Sequence, residues 1–280
     1  SAMSGSPETL PPELEREIFE LAVRVHPSVA PNLLLVAHRV HVWIEPILYE
    51  TLIILVGAPS EPPPAILQAF QSKPASFFRT HVRNLLLHYD RHAKQFPAIL
   101  SRCSGTVNLA VLGQARHSLL APLGAMKLQR LAVHMQALFG PKHIDLTLPC
   151  FATLTHLNIM NSDEDRITAE DFASLPALTH LHLFQCRALM DAVLLRCHAL
   201  KVLVSTWAFP PEIPELRSLI QDPRVVLVHL WAHRRSSIED WKAGTEGRPD
   251  LWSRADLFVA KRHGRIDPGK WSVVGQFSFS

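Results

Sequence analysis

Hydrophobic positions along the chain change rhythm twice, and the changes divide it into three stretches. In the first, apolar side chains recur every three or four positions. Leu14, Ile18, Leu21 and Ala22 share one face of a helix that opens near Pro11. Proline at the first helical positions loses no hydrogen bond, and Glu13, Glu15 and Glu17 suit the positive end of the helix dipole. A second helix is predicted over residues 33–43, with Asn32 as its cap and Pro46 as its stop. Leu34, Leu35 and Val36 make it apolar on more than one side, so it needs partners on two faces. Residues 52–55 then read as a first strand.

The second rhythm is shorter. The run Leu154-Thr155-His156-Leu157-Asn158-Ile159-Met160 returns 24 positions later as Leu178-Thr179-His180-Leu181-His182-Leu183-Phe184. Both copies alternate, with Leu157 and Ile159 on one side of an extended segment and His156 and Asn158 on the other. Comparable strand cores fall at residues 82–87, 106–111, 128–133, 200–204 and 224–230. Taking Leu85, Leu109, Leu131, Leu157, Leu181 and Leu203 as equivalent gives spacings of 24, 22, 26, 24 and 22. These lie within the range of about 20–29 residues of leucine-rich repeats. Helical segments separate them at 96–102, 168–175, 190–197 and 213–220, the second with Thr168 and Asp171 placed as a capping box. A β-α rhythm this short leaves parallel strands side by side with helices on the outer face, each repeat burying its apolar side against its neighbours. The asparagine usual after the strand is missing from most copies, so the array is irregular.

Past residue 235 the period is lost. Residues 240–244 and 249–262 read as helical, with Leu251, Trp252, Ala255, Phe258 and Val259 on one face suited to capping the last repeat. Residues 271–280 read as a short strand or a tail packed on that cap. The expected fold is therefore α/β. A leucine-rich-repeat solenoid with a parallel concave sheet and outer helices (65–235) follows a small all-helical module (8–56) and a proline-rich linker (57–64). A helical cap (236–280) closes it.

The front module carries a family likeness. Leu10-Pro11-Pro12-Glu13-Leu14 with Ile18-Phe19, then Leu34-Leu35-Val36-Ala37-His38-Arg39-Val40 and Trp43, then Pro46-Ile47-Leu48-Tyr49 resemble an F-box-like domain of the form found in many basidiomycete proteins. The order of elements matches over nearly the whole module. It departs in the long segment holding Pro27 and Pro31, and in His38. The resemblance implies a Skp1-like adaptor of a cullin-RING ubiquitin ligase as partner. Leu10, Pro11, Leu14, Ile18, Leu35, Val36 and Trp43 would be the adaptor-facing or module-core residues, and the repeats would hold an unidentified protein target. The alternative is that these helices only cap the solenoid, because a terminal repeat otherwise exposes its apolar face.

Composition narrows the partners. Hydrophobic residues make up 48% and charged residues 19% of 280, which describes a globular chain with ample core. A net charge of +3, with dispersed basic residues, gives nucleic-acid binding little support. The longest apolar runs, such as 52–56, are too short to span a bilayer. Ser1 and Ala2 ahead of Met3 read as a tag remnant, and no apolar leader follows, so the cytoplasm or nucleus is the expected location. Cys103, Cys150, Cys186 and Cys197 form no C-x-x-C pair, so neither a zinc ribbon nor a disulfide framework is expected.

The remaining signal is the 16 histidines. Alternation puts His134, His156, Asn158, Met160, His180, His182 and Phe184 on the concave face, with neighbouring strands about 4.8 Å apart. A metal site is not expected, because side chains of a flat ladder diverge and the set has no carboxylate. No cofactor motif is present, neither a phosphate-cradling glycine loop nor a nucleophile elbow. Two readings of the patch stay open. It is a polar-aromatic recognition surface for a target, or His156, His180 or His182 does acid-base chemistry on a small metabolite in a pocket closed by residues 141–150 or 207–211.

Overall fold

One leucine per strand sets the register of the whole array. The computed structural model describes residues 10–55, 64–89, 95–113, 116–160, 166–207, 219, 221–229 and 234–263. Its strands are β1 (Thr51–Leu55), β2 (Asn84–Tyr89), β3 (Asn108–Gly113), β4 (Arg130–Val133), β5 (His156–Ile159), β6 (His180–Phe184), β7 (Val202–Trp207) and β8 (Val225–His229). They form a single parallel sheet in chain order, a solenoid-like α/β arrangement. Leu52, Leu85, Leu109, Leu131, Leu157, Leu181, Leu203 and Val225 stand in one row across it. The equivalence read from spacing holds residue for residue and gains one strand at each end.

The strands start later than the apolar pattern predicts, at 84, 108, 130, 156, 180 and 202. Val82, Leu128, Leu154, Leu178 and Leu200, two residues ahead, are buried all the same. The first apolar residue of each Leu-x-x-Leu run packs into the core from the incoming turn, and the second begins the buried row of the strand. That alternation sends Leu85, Leu87, Leu109, Val111, Leu157, Ile159, Leu181 and Leu183 to the outer face.

There they meet a ring of helices: α4 (Pro64–Ser72), α5 (Ala75–His81), α6 (Phe96–Arg102), α7 (Leu120–Leu123), α8 (Met135–Phe139), α9 (Ala169–Ala173) and α10 (Arg187–Arg196). Phe78, Phe96, Leu100, Phe151, Phe172, Met190 and Val193 fill the space between the layers. The capping box of α9 is present, with the Thr168 hydroxyl accepting from the Asp171 N–H and the Asp171 carboxylate accepting from the Thr168 N–H. The four cysteines are buried. Pro64 begins α4 and does not belong to a linker; the rest of that connector, most of the predicted helix at 213–220, and the tail at 271–280 lie outside the described residues. Among the described residues, no helix is long and apolar enough to cross a membrane.

The front module consists of α1 (Pro12–Val25), a 3-10 turn at Pro27–Val29, α2 (Ala30–Leu33) and α3 (His38–Leu48). The second helix differs from expectation at both ends. Ala37 is fully extended, so Leu34, Leu35 and Val36 form a turn and the helix begins at His38. Pro46 sits inside its last turn, where it gives up the N–H that would meet the Val42 carbonyl, and the helix ends two residues later. Val23, Ala30, Val40 and Ile44 are the buried centre of a small separate core, flanked by Phe19, Leu33, Leu34, Trp43 and Ile47. Tyr49 joins this module to the repeats by edge contacts with Phe77 and Phe78 at 5.1 and 6.0 Å. Ion pairs Arg24–Glu50 at 3.0 Å and Lys73–Glu45 at 2.6 Å reinforce the junction.

The C-terminal helices α11 (Arg234–Thr245) and α12 (Leu251–His263) correct the expected cap. They do not close the end of the array but lie across the sheet face opposite the outer helices. Trp241 of α11 reaches Asn108 of β3, and Arg262 of α12 donates to the Val225 carbonyl of β8. The apolar stripe of α12 is the one foreseen, Leu251, Trp252, Ala255, Phe258 and Val259, but it packs on Val202, Val204 and Val226 of the inner sheet face. Those valines end the polar part of that face and need cover that the outer helices cannot supply.

Candidate functional site

Two surfaces concentrate the residues singled out above. On α1, Phe19 and Val23 face inward toward α3, which leaves Leu14, Ile18, Leu21 and Val25 on the opposite side at helical spacing. Leu10, Pro11, Leu35 and Val36 are exposed as well, Leu35 at 85% and Ile18 at 56% of their full accessible area. Salt bridging of Arg39 to both oxygens of Glu15, at 2.7 and 3.1 Å, holds α3 to α1. The expected adaptor-facing set thus splits. Leu10, Pro11, Leu14, Ile18, Leu35 and Val36 are open, whereas Trp43 is half-buried in the module's own core with its ring 6.5 Å from that of Phe19. Leu21, already on the face read from helical spacing, and Val25, one step further along it, extend the open stripe.

The second surface is the concave face. Its rows are those expected from alternation: His156 beside His180 and Asn158 beside His182. The two imidazoles of His156 and His180 stack at 4.1 Å with an 8° angle between planes. The threonine preceding each histidine orients it, Thr155 Oγ1 lying 2.8 Å from His156 Nδ1 and Thr179 Oγ1 2.8 Å from His180 Nδ1. That is the physical content of the repeated Thr-His pair. His182 is buried between Asn158 Oδ1, 2.6 Å from Nδ1, and Thr206 Oγ1, 2.7 Å from Nε2. One donor and one acceptor satisfy a neutral ring.

What the sequence does not foresee is the cover. Trp252 of α12 stands edge-on to both stacked rings, 5.2 Å from His156 and 5.8 Å from His180. Asp256 accepts from His180 Nε2 at 2.9 Å, and Asp250 accepts from Arg130 at 3.2 Å. Trp241 Nε1 donates to Asn108 Oδ1 at 3.1 Å, while Trp241 and Ile238 pack on the cluster of Leu86, Ala110 and Leu112. The surface expected to be open at His156, Asn158, His180 and His182 is therefore covered by the chain itself, with His180 and His182 buried. His134, Met160 and Phe184, at the far ends of the strands, are half-buried. A sequence signal for this cover exists only in hindsight: Trp252, Ala255, Asp256 and Val259 form a helical stripe that mixes a carboxylate with apolar groups, which suits a mixed surface better than a plain cap.

Electrostatics follow from the cover. Burial pushes His156 down to about 3, assisted by the neighbouring His180 and Arg130 charges, and burial alone pushes His182 down to about 4. His134 is lowered by burial too. Neither His156 nor His182 is poised to exchange a proton near neutrality, and Trp252 stands against His156 and His180, where acid-base catalysis would need room for a substrate. Residues 208–211 of one proposed closing segment lie outside the described residues. Among the described residues, no group of three or more metal-ligating side chains comes together.

Compared with family models, curated proteins and solved structures, the chain matches none.

Proposed function

We propose that the chain is an interaction protein whose F-box-like front module docks on a Skp1-type adaptor of a cullin-RING ubiquitin ligase, with irregular leucine-rich repeats that present a target. One observation carries the reading. The module buries a small core of its own and still leaves Leu10, Leu14, Ile18, Leu21, Val25, Leu35 and Val36 exposed. A helix that only capped the repeats would turn its apolar stripe toward them, and a bare stripe of this kind marks a site for a partner. The adaptor identity comes from the resemblance of Leu10-Pro11-Pro12-Glu13-Leu14 and the residues through Tyr49 to the F-box-like pattern.

The test is capture of a purified Skp1-type adaptor by the full chain and by the double variant Leu14→Ala, Ile18→Ala. Both side chains are exposed, so the variant keeps its fold and its circular dichroism. Truncating two central apolar anchors weakens such an interface about 100-fold. Undiminished capture by the variant, or no capture by the unmodified chain, refutes the adaptor reading.

A further inference from the structure

The inner face of the sheet alternates polar and apolar positions. Its inward positions are Thr51, Ile53 and Leu55 on β1; Asn84, Leu86 and His88; Asn108, Ala110 and Leu112; Arg130, Ala132 and His134; His156, Asn158 and Met160; His180, His182 and Phe184; Val202, Val204 and Thr206; then Val226 and Val228. No carboxylate stands among them. Among the described residues, the acids paired with this surface are Asp250, the cap of α12, against Arg130 and Asp256 of α12 against His180. Apolar residues of the helices fall where the sheet is apolar, Ile238 and Trp241 on Leu86 and Ala110, Ala255 and Val259 on Val202, Val204 and Val226. This is complementarity of charge and shape between two separately built surfaces.

The helical pair is also held together by itself. Asp250 caps α12, accepting from the Ser253 N–H at 2.9 Å while its own N–H donates to Ser253 Oγ at 2.8 Å. Asp240 of α11 accepts from the Leu251 N–H at 3.0 Å and pairs with Arg254. Gly247, at φ +71°, reverses the chain between them, and Arg248 N–H closes the turn on the Ala243 carbonyl at 2.8 Å. Gly244 leaves room for the Asp250 carboxylate, whose nearest oxygen would lie 2.4 Å from any Cβ placed there. The pair thus keeps its shape by its own bonds; its polar ties to the sheet include Asp250–Arg130, Asp256–His180, Trp241–Asn108 and Arg262 to the Val225 carbonyl, and Asp256 is 54% exposed at the side chain. Interfaces of that make-up resemble exchangeable ones.

We infer that the concave face is the target-binding surface, that α11–α12 is its tethered occupant, and that the partner taken in exchange is an amphipathic helix presenting aspartates and a tryptophan in the arrangement of Asp250, Trp252 and Asp256. This rests on reading the chain as an interaction protein, and it gives the target a chemistry. An acidic, tryptophan-bearing helix displaces the pair; a basic helix meets Arg130, finds no carboxylate on this face, and does not.

The probe is a fluorescent peptide of residues 234–263, added in trans to the full chain and to its double variant Trp252→Ala, Asp256→Ala, which alters the occupant and leaves the receiving face intact. The peptide is expected to bind the variant at least tenfold more tightly than the unmodified chain, and the same peptide with Asp250 and Asp256 changed to Lys not to bind. Equal, undetectable binding to both chains, with the variant folded, overturns the inference. If the variant does not fold, hydrogen exchange on the unmodified protein decides: amides of α12 exchanging well ahead of those of β5 and β6 support a releasable occupant, and equal protection overturns it. A stable dimer of the unmodified chain formed by exchange of the pair would name a second copy as the occupant and overturn the external partner. Adaptor capture through α1 separates the two readings. Its loss with exchange intact refutes only the docking reading, and failure of exchange with capture intact refutes only this one.

Discussion

The two faces of one sheet follow opposite rules. On the outer face every strand contributes leucine, isoleucine or valine, and the helices beyond contribute phenylalanine, leucine and methionine, so the contact is continuous and apolar. On the inner face asparagine, arginine and histidine alternate with short apolar patches, and the cover is a helical pair held by single hydrogen bonds and two small clusters. The outer contact makes the fold; removing part of it leaves a cavity. The inner contact matches polar group to polar group, and removing part of it leaves polar groups that water can satisfy. The difference predicts how each will respond to damage.

The largest effect belongs to the outer face. Phe172→Ala, a fully buried ring of α9, is expected to cost about 4 kcal/mol, read as a lower midpoint in urea with unchanged slope. A loss below about 1 kcal/mol would mean that the layers are packed loosely and that the contrast between the faces is illusory.

Acid comes next and acts on the inner face. His156 and His182 are held neutral by burial, at about 3 and about 4, whereas in the unfolded chain they take up a proton near 6.5. Between those values the unfolded chain binds more protons than the folded one, so stability rises with pH across that window and is unaffected by these groups above about 7. At pH 5 each imidazole is expected to cost about 2 kcal/mol relative to neutrality. Substituting His182→Gln, which can still bond Asn158 and Thr206, should flatten its share of the slope in denaturation curves taken from pH 7 to 5. A slope unchanged by that substitution assigns the acid sensitivity elsewhere.

Much of this contrast was readable beforehand, for physical reasons. The outer row repeats one residue type at one position, and Leu85, Leu109, Leu131, Leu157, Leu181 and Leu203 had to align because a shift by one residue would turn each of them to the wrong face. The inward neighbours His156 and His180 followed from the same alternation. Their cover did not, because helix α12 shows an apolar stripe that fits any apolar ground, and only the pairing of Asp250 with Arg130 and Asp256 with His180 says which. The second front helix was misplaced for a local reason. Leu34, Leu35 and Val36 favour a helix by composition, but the extended Ala37 after them breaks it, and the turn they adopt leaves Leu35 and Val36 exposed.

Helix caps give a matched pair of smaller effects, one on each face. Thr168→Ala removes the capping box of α9 and should cost about 1 kcal/mol of global stability. Asp250→Ala removes the cap of α12 together with the tie to Arg130 and should cost about 1–2 kcal/mol. The readouts differ more than the sums. The first is expected to shift the global unfolding midpoint, the second to raise hydrogen exchange in α12 while β5 and β6 keep their protection. A global loss of protection in the Asp250→Ala protein would make the helical pair part of the same cooperative unit as the repeats.

The smallest expected number is the most informative about the seam. His180 Nε2 and Asp256 Oδ1 are 2.9 Å apart, but the aspartate side chain is half in water, and a pair of that kind couples by less than about 1 kcal/mol. A double-mutant cycle with His180→Gln and Asp256→Asn isolates the coupling from the individual costs, because each substitution keeps shape and removes the charge or the ring. A coupling of a few tenths of a kcal/mol at neutral pH fits a cover that selects by many weak polar matches and leaves by breaking them one at a time. A coupling of about 3 kcal/mol would place the pair among buried, desolvated ones. The inner face would then be locked as the outer face is, and the cover would be a permanent wall of the fold.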